Sequence, residues 1–132
     1  MNLKALLYDP HEVLPRIIKL IYAGAFDEAM QLYADDCVMI EKPNVVLRGK
    51  AAIRQSLQAM VDSGNMLSVQ MQDAVIVGDV AYSISDWQMT KNGVTVAVAK
   101  ATDLLRKTQD GKWLMLLDNP FGANAFKPSI AP

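Results

Sequence analysis

The sequence predicts an α+β domain, with helices gathered on one side of a curved, mainly antiparallel sheet. Two observations predict it. Val80 to Pro120 reads as three consecutive strands, AYSISDWQMT, VTVAVAKATDLLRK and KWLMLLDNP, joined by Lys91-Asn92-Gly93 and Gln109-Asp110-Gly111. Long strands with such short joints form a meander whose inner face must be covered. Ahead of it lies Ile/Leu-rich sequence at helical spacing, which supplies that cover. At 132 residues the whole chain, 1–132, is expected to form a single domain.

Each element follows from local chemistry. Asp9-Pro10-His11-Glu12 has the form of a helix start, a carboxylate cap followed by proline. Pro15 implies either that the helix begins there or that it kinks. Ile17, Ile18, Leu20 and Ile21 keep the apolar period, and Gly24 stops it. A second short helix is expected to carry Phe26, Met30 and Tyr33 on one side and to end at Asp35-Asp36. Cys37 to Glu41 reads as a strand closed by Pro43-Asn44, and Val45-Val46-Leu47 as a short strand before Gly49. Ala51 to Val61, with Ile53, Leu57 and Met60 on one face, is a third helix. Met66 to Val77 is a strand, and Gly78-Asp79 turns it into the meander. The tail, residues 121–132, is rich in Ala, Pro and Asn without a period, and is expected to pack loosely.

Composition narrows the function classes. The net charge of −1 offers no attraction to phosphate backbones or anionic lipid, so no nucleic-acid or membrane partner is expected. A single cysteine and a single histidine provide neither a disulfide framework nor a metal cluster. There is no glycine-rich phosphate loop, so no cofactor is expected. MNLKALLYDP lacks the apolar core and cleavage site of a secretory signal, which makes cytoplasmic the expected location. Cys37 is expected in the core, and His11 on the surface near a helix start.

The strings AGAFDEAMQLYADDCVMIEKP, LRGKAAIRQSL and LLRKTQDGKWLMLLDNP resemble the nuclear transport factor 2-like superfamily, and within it the SnoaL-like and ketosteroid-isomerase-like branch. The resemblance covers roughly Leu14 to Asn119. It implies a cone-shaped, cystatin-like fold: a strongly bent sheet wrapped around a long helix, with a pocket at the open end. Members include isomerases, cyclases, dehydratases and non-enzymatic association domains, so the fold does not choose among them. Steroid isomerases of the family place an Asp just before a Pro on the early strand, a Tyr on the first helix and a protonated Asp on a late strand. Here Lys42 precedes Pro43, with Glu41 one step earlier, and Ile17 stands at the Tyr position. Only the late-strand acid is matched, by Asp103. The chain is therefore read as something other than a steroid isomerase.

Strand alternation gives a second route to the pocket. If Asp103 points inward, so do Ala97, Ala99 and Ala101, three small residues that leave volume unfilled. Matching parity by the resemblance turns Ser83, Ser85 and Trp87 inward, with Leu114, Leu116 and Asp118 on the last strand. With Met39, and with Glu41 at the strand end where relatives keep their base, this is a mostly apolar lining with a few polar groups, suited to a small hydrophobic molecule. Asp103 and Asp118 face the same way from adjacent strands. If close, they share a proton and form an acid–base pair. The alternative is that they lie in water at the pocket mouth or pair with Arg54 or Arg106. Glu41 is a third catalytic candidate or an exposed charge, and Trp87 a pocket wall or an ordinary core residue. On the opposite face, Tyr82, Ile84, Val94, Val96 and Val98 form an apolar patch that predicts a partner surface. Relatives dimerise through this outer sheet, so a homodimer is expected. Three functions stay open: a cofactor-free isomerase, cyclase or dehydratase, a non-catalytic binding protein, and an association domain.

Overall fold

The computed structural model describes residues 8–128 and 130. The stretch MNLKALL, read above for targeting, and tail residues 129, 131 and 132 lie outside the described residues.

Asp9 and Pro10 start a 3-10 turn over Pro10–Glu12, in which Asp9 accepts a hydrogen bond from the His11 N–H at 2.9 Å. It leads directly into helix α1, Val13–Tyr22. Pro15 falls in the first turn of α1, where a backbone N–H has no helical partner, so it neither breaks nor kinks the helix. Val13, Ile17 and Ile21 share one face of α1 and are buried in the core.

Helix α2, Phe26–Met30, is shorter than the sequence suggests. Leu32 already accepts a hydrogen bond from the Met115 N–H at 2.8 Å, so the chain has joined the sheet by this point. Tyr33 therefore opens strand β1, Tyr33–Lys42, instead of closing a helix. Asp35 and Asp36, expected to end that helix, sit exposed on β1 at a break in its pairing. They pair with Lys50 and Arg106.

After β1 come β2 (Val45–Arg48), helix α3 (Lys50–Asp62), and strands β3 (Met66–Val77), β4 (Val80–Lys91), β5 (Val94–Lys107) and β6 (Trp113–Asp118). The six strands lie in the order β2-β1-β6-β5-β4-β3. All neighbours are antiparallel except β1 and β6, which run parallel. The β4–β5 hairpin closes on Asn92 (φ +52°) and Gly93 (φ +77°), the left-handed pair that a two-residue turn needs to match strand twist.

The bent sheet wraps around α1 to make a cone-shaped α+β domain of cystatin-like architecture. Its core is packed with Ile17, Ile21, Tyr33, Ile53, Leu105 and Met115, all essentially without solvent contact, and Ile17 and Tyr33 carry this core up to the cavity. Cys37 is buried there too. Among the described residues, no helix is long and apolar enough to cross a membrane, and no cluster of ligating side chains could hold a metal ion.

The tail is more ordered than its composition suggests. Asn44 donates to the Ala125 carbonyl at 2.8 Å, and Lys127 N–H donates to Asn44 Oδ1 at 3.2 Å. Gly122 and Ala125 are buried. Hydrogen bonds to Asn44 in the β1–β2 turn replace the apolar period that the tail lacks.

Candidate functional site

The open end of the cone is a cavity of about 370 Å³. Helix α1 contributes Leu14, Ile17 and Ile18, α3 contributes Ser56, Leu57 and Met60, and the sheet contributes the rest. Volume survives on the sheet side because β5 presents alanines where larger residues would reach the helices. Ala97 and Ala101 both line the space. Met39 and Trp87 also line it.

Trp87 is held in place. Its indole N–H donates to the Pro120 carbonyl at 2.6 Å, and Phe121 meets its ring edge-on at 6.2 Å. Pro120 and Phe121 thus form part of the lining, so the tail's first residues close the site.

The lining is mostly apolar, with Ser56 on the helix side, Glu41 at the rim and, buried on the sheet, Asp103 and Asp118. The β5–β6 ladder pairs Leu104 with Leu117, so the next residues along, Asp103 and Asp118, face each other across the strands. Both are buried, at 1% and 8% exposure, and both line the cavity. Asp118 Oδ2 accepts a hydrogen bond from the Tyr33 hydroxyl at 2.7 Å. Asp103 Oδ1 accepts one from the Asn119 N–H at 2.7 Å, while its Oδ2 has no partner among the described residues.

Burial pushes the Asp103 carboxyl well above the ordinary carboxylate range, the adjacent Asp118 pushes it further, and only the Asn119 N–H opposes the rise. Burial also raises Asp118, against the lowering effect of the Tyr33 hydroxyl. The Tyr33 phenol itself is raised well above its usual value by burial and by Asp118, so it keeps its proton and donates. Among the described residues no cation relieves the pair. Arg54 is engaged by Asp27 and Arg106 by Asp36, both at the surface. Two acids of raised pKa this close hold one proton between them over a range of pH, one donating while the other accepts.

Other expected site residues fall elsewhere. Leu114 and Leu116 do not line the cavity. Leu104 pairs with Leu117 and Leu105 with Met115, so Leu116 is an extra residue in a β-bulge. A bulge reverses the alternation. Trp113 and Met115 are therefore inward before it, and Asp118 is inward after it. Strict alternation would have put Asp118 on the same face as Leu116, and the two are in fact on different faces. Ala99 is half-buried but outside the lining, and Ser83 and Ser85 are buried behind it. Glu41 touches the cavity at its rim and is itself exposed.

Two site residues escape a reading by alternation. Tyr33 is hidden because its helical assignment turns it toward the helix packing. Asn119 is hidden because it follows the last strand. Its backbone N–H serves Asp103, and its side-chain amide donates to Thr102 and to the Gly122 carbonyl, tying the acid to the closing tail. The LYADD string, placing a tyrosine beside two acids at a helix–strand junction, was the available signal for Tyr33.

A bent sheet wrapped on a helix, with a mostly apolar cavity and a few buried polar groups inside, defines a cone-shaped α+β fold. The chain belongs to the SnoaL-like domain family, whose sequence pattern matches residues 16–115. No curated protein matches it. Solved structures share the fold. One from Thiobacillus denitrificans, provisionally described as a calcium/calmodulin-dependent protein kinase type II association domain, is 23% identical with TM-score 0.68, covering 83% of this chain and 91% of its own. A Catenulispora acidiphila structure in complex with S-DNPA is 18% identical with TM-score 0.65, covering 87% and 91%. A ketosteroid isomerase-like protein from Erwinia carotovora atroseptica is 18% identical with TM-score 0.63, covering 89% and 95%. At these identities the likeness is one of fold.

Proposed function

We propose that the chain binds a small, largely apolar molecule in this cavity and acts on it by cofactor-free acid–base chemistry of the isomerase, cyclase or dehydratase type. One observation carries the reading: among the described residues, two buried carboxylates face each other in a mostly apolar lining, with the Tyr33 hydroxyl on one of them, and together they favour holding a proton. Asp103, the more strongly raised, is the acid. Asp118, whose charge the Tyr33 hydroxyl stabilises, is the base. A carbonyl oxygen is the natural group to receive a hydrogen bond from the neutral Asp103, as an enol or enolate forms beside Asp118. Trp87 and Phe121 form the wall, and Glu41 is a rim group. The bound S-DNPA of the Catenulispora relative supports a ligand in such a fold.

The test is a carboxyl-resolved NMR titration of wild type, Asp103→Asn and Asp118→Asn. The expected result is one carboxyl titrating well above the ordinary value near 3.9, falling when its neighbour is neutralised. Normal titration of both acids would defeat the acid–base reading. Ligand binding that persists without both acids would leave a binding protein instead.

We also propose a homodimer through the outer sheet. Val94 and Val98 are 63% and 67% exposed there, beside Val96 and Tyr82, a patch expected to seek cover. The neighbour named as an association domain fits this reading. Light scattering that gives a monomer at micromolar concentration would sink it.

A further inference from the structure

The inner face of β4 carries an anomaly that the acid–base pair does not use. Ser83 and Ser85 are each 1% exposed, on a face otherwise given to apolar packing. Neither hydroxyl oxygen has a hydrogen-bond partner among the described residues, and the same is true of Asp103 Oδ2. The three oxygens belong together. In the β4–β5 register Ser83 lies directly opposite Asp103, and Ser85 is the next inward position along β4, opposite Ala101. Side chains directly opposite on an antiparallel pair have Cβ atoms about 4.5–5.5 Å apart. As the side chains stand neither hydroxyl bonds the acid, and at this separation one water can bridge them.

A buried polar oxygen left unpaired costs about 1–3 kcal/mol, so three in one patch call for a common partner. A water site needs two to four polar partners in one place. Ala101, opposite Ser85, and Asp103, opposite Ser83, both line the cavity, so only short side chains stand between these oxygens and its space. We propose that Ser83 and Ser85 hold an internal water against Oδ2 of Asp103, a buried polar site behind the cavity lining that positions the proton of this acid.

The chemistry follows from how each oxygen is occupied. Oδ1 accepts from the Asn119 N–H, so the neutral acid carries its proton on Oδ2, facing the serines. With no ligand bound, the water accepts from the neutral acid and donates to the carboxylate, the serine hydroxyls turning to follow it, and a bound carbonyl takes the Oδ2 proton in the water's place. Hydrogen bonds to a charged oxygen are the stronger of the two, so the site favours the ionised form. The other groups acting on Asp103 are the Asp118 carboxyl and the Asn119 N–H. Ser83 and Ser85 are thus positioning residues rather than catalytic ones. This inference rests on the acid–base reading for its consequence, and on the three unpaired oxygens for the site itself.

The test combines high-resolution crystallography of the full chain with carboxyl NMR titration of wild type, Ser83→Ala, Ser85→Ala and Ser83→Thr. An ordered water within hydrogen-bond reach of Ser83 Oγ and Asp103 Oδ2 is expected. Ser83→Ala is expected to raise the upper apparent pKa of the pair by about one unit. Ser83→Thr keeps the hydroxyl and is expected to leave the titration as in wild type. A folded Ser83→Ala with unchanged titration overturns the proposal, as does a wild-type crystal structure with no such water. If Ser83→Ala does not fold, Ser85→Ala and the wild-type structure decide by the same criteria. Ordinary titration of both acids in wild type defeats the acid–base reading alone. High titration indifferent to the serines defeats this inference alone.

Discussion

Tyr33→Phe removes a single oxygen from a side chain with no solvent exposure and leaves its ring packing intact. The lost contact is the 2.7 Å bond from the phenol to Asp118 Oδ2. A buried hydrogen bond contributes about 0.5–1.5 kcal/mol when the acceptor is neutral and about 1.5–3 kcal/mol when it is charged. The difference, about 1–1.5 kcal/mol, is what the phenol adds to the ionised form of Asp118 over its neutral form. At about 1.4 kcal/mol per pKa unit, the lower apparent pKa of the pair should rise by about one unit in the variant. The stability cost should depend on pH in the same sense. It should be small where Asp118 is protonated and about twice as large where it is ionised. Carboxyl NMR reads the first effect, and urea denaturation on either side of the transition reads the second. An unmoved or lowered pKa, or a cost independent of pH, would refute the assignment of Tyr33 as the stabiliser of an anionic Asp118.

Three further outcomes are expected. Both buried acids are raised in the folded protein, so stability is fully present below the unfolded value of about 3.9 and is lost as pH rises through the folded values. The exposed Asp36 and Asp86, held low by Arg106 and Lys100, act only below that window, and His11, raised by Asp9, acts only above its ordinary 6.5. Asp103→Asn should therefore flatten the loss between these limits in denaturant melts, and an unchanged slope would contradict the burial argument. Ala97→Leu fills cavity volume at the lining and should weaken binding of a hydrophobic probe at least tenfold, by fluorescence titration, without lowering the melting temperature. Gly122 has φ +55°, and a Cβ there would stand 2.7 Å from the Lys100 carbonyl oxygen. Gly122→Ala should cost about 1–3 kcal/mol in chemical denaturation and loosen the tail that closes the cavity.

The site was only partly legible because alternation is a local rule. It reaches Trp87, Ala97, Ala101 and Asp103, since β4 and β5 alternate through the stretches that line the cavity, whereas on β1 the consecutive residues Met39, Ile40 and Glu41 all line it beside a register shift. It misplaces Leu114 and Leu116, because the bulge at Leu116 arises where β6 must pair with antiparallel β5 on one side and parallel β1 on the other. Ser83 and Ser85 do face inward, as parity says, yet sit behind the lining. Parity reports direction and not depth.

The sequence by itself determined the order of elements, the turns at Asn92-Gly93 and Gly78, and the helix–sheet layering. Each of these rests on apolar period, residue φ preference or helix start and stop chemistry within a few residues. Only the tertiary structure decided that Tyr33 leaves its helix to meet Asp118, that Asp118 turns inward to face Asp103, and that the chain after β6 adds Pro120 and Phe121 to the lining and is tied down through Asn44 and Asn119. Those outcomes depend on register between segments up to 85 residues apart. Register is set by closing the sheet around α1, which no local pattern encodes.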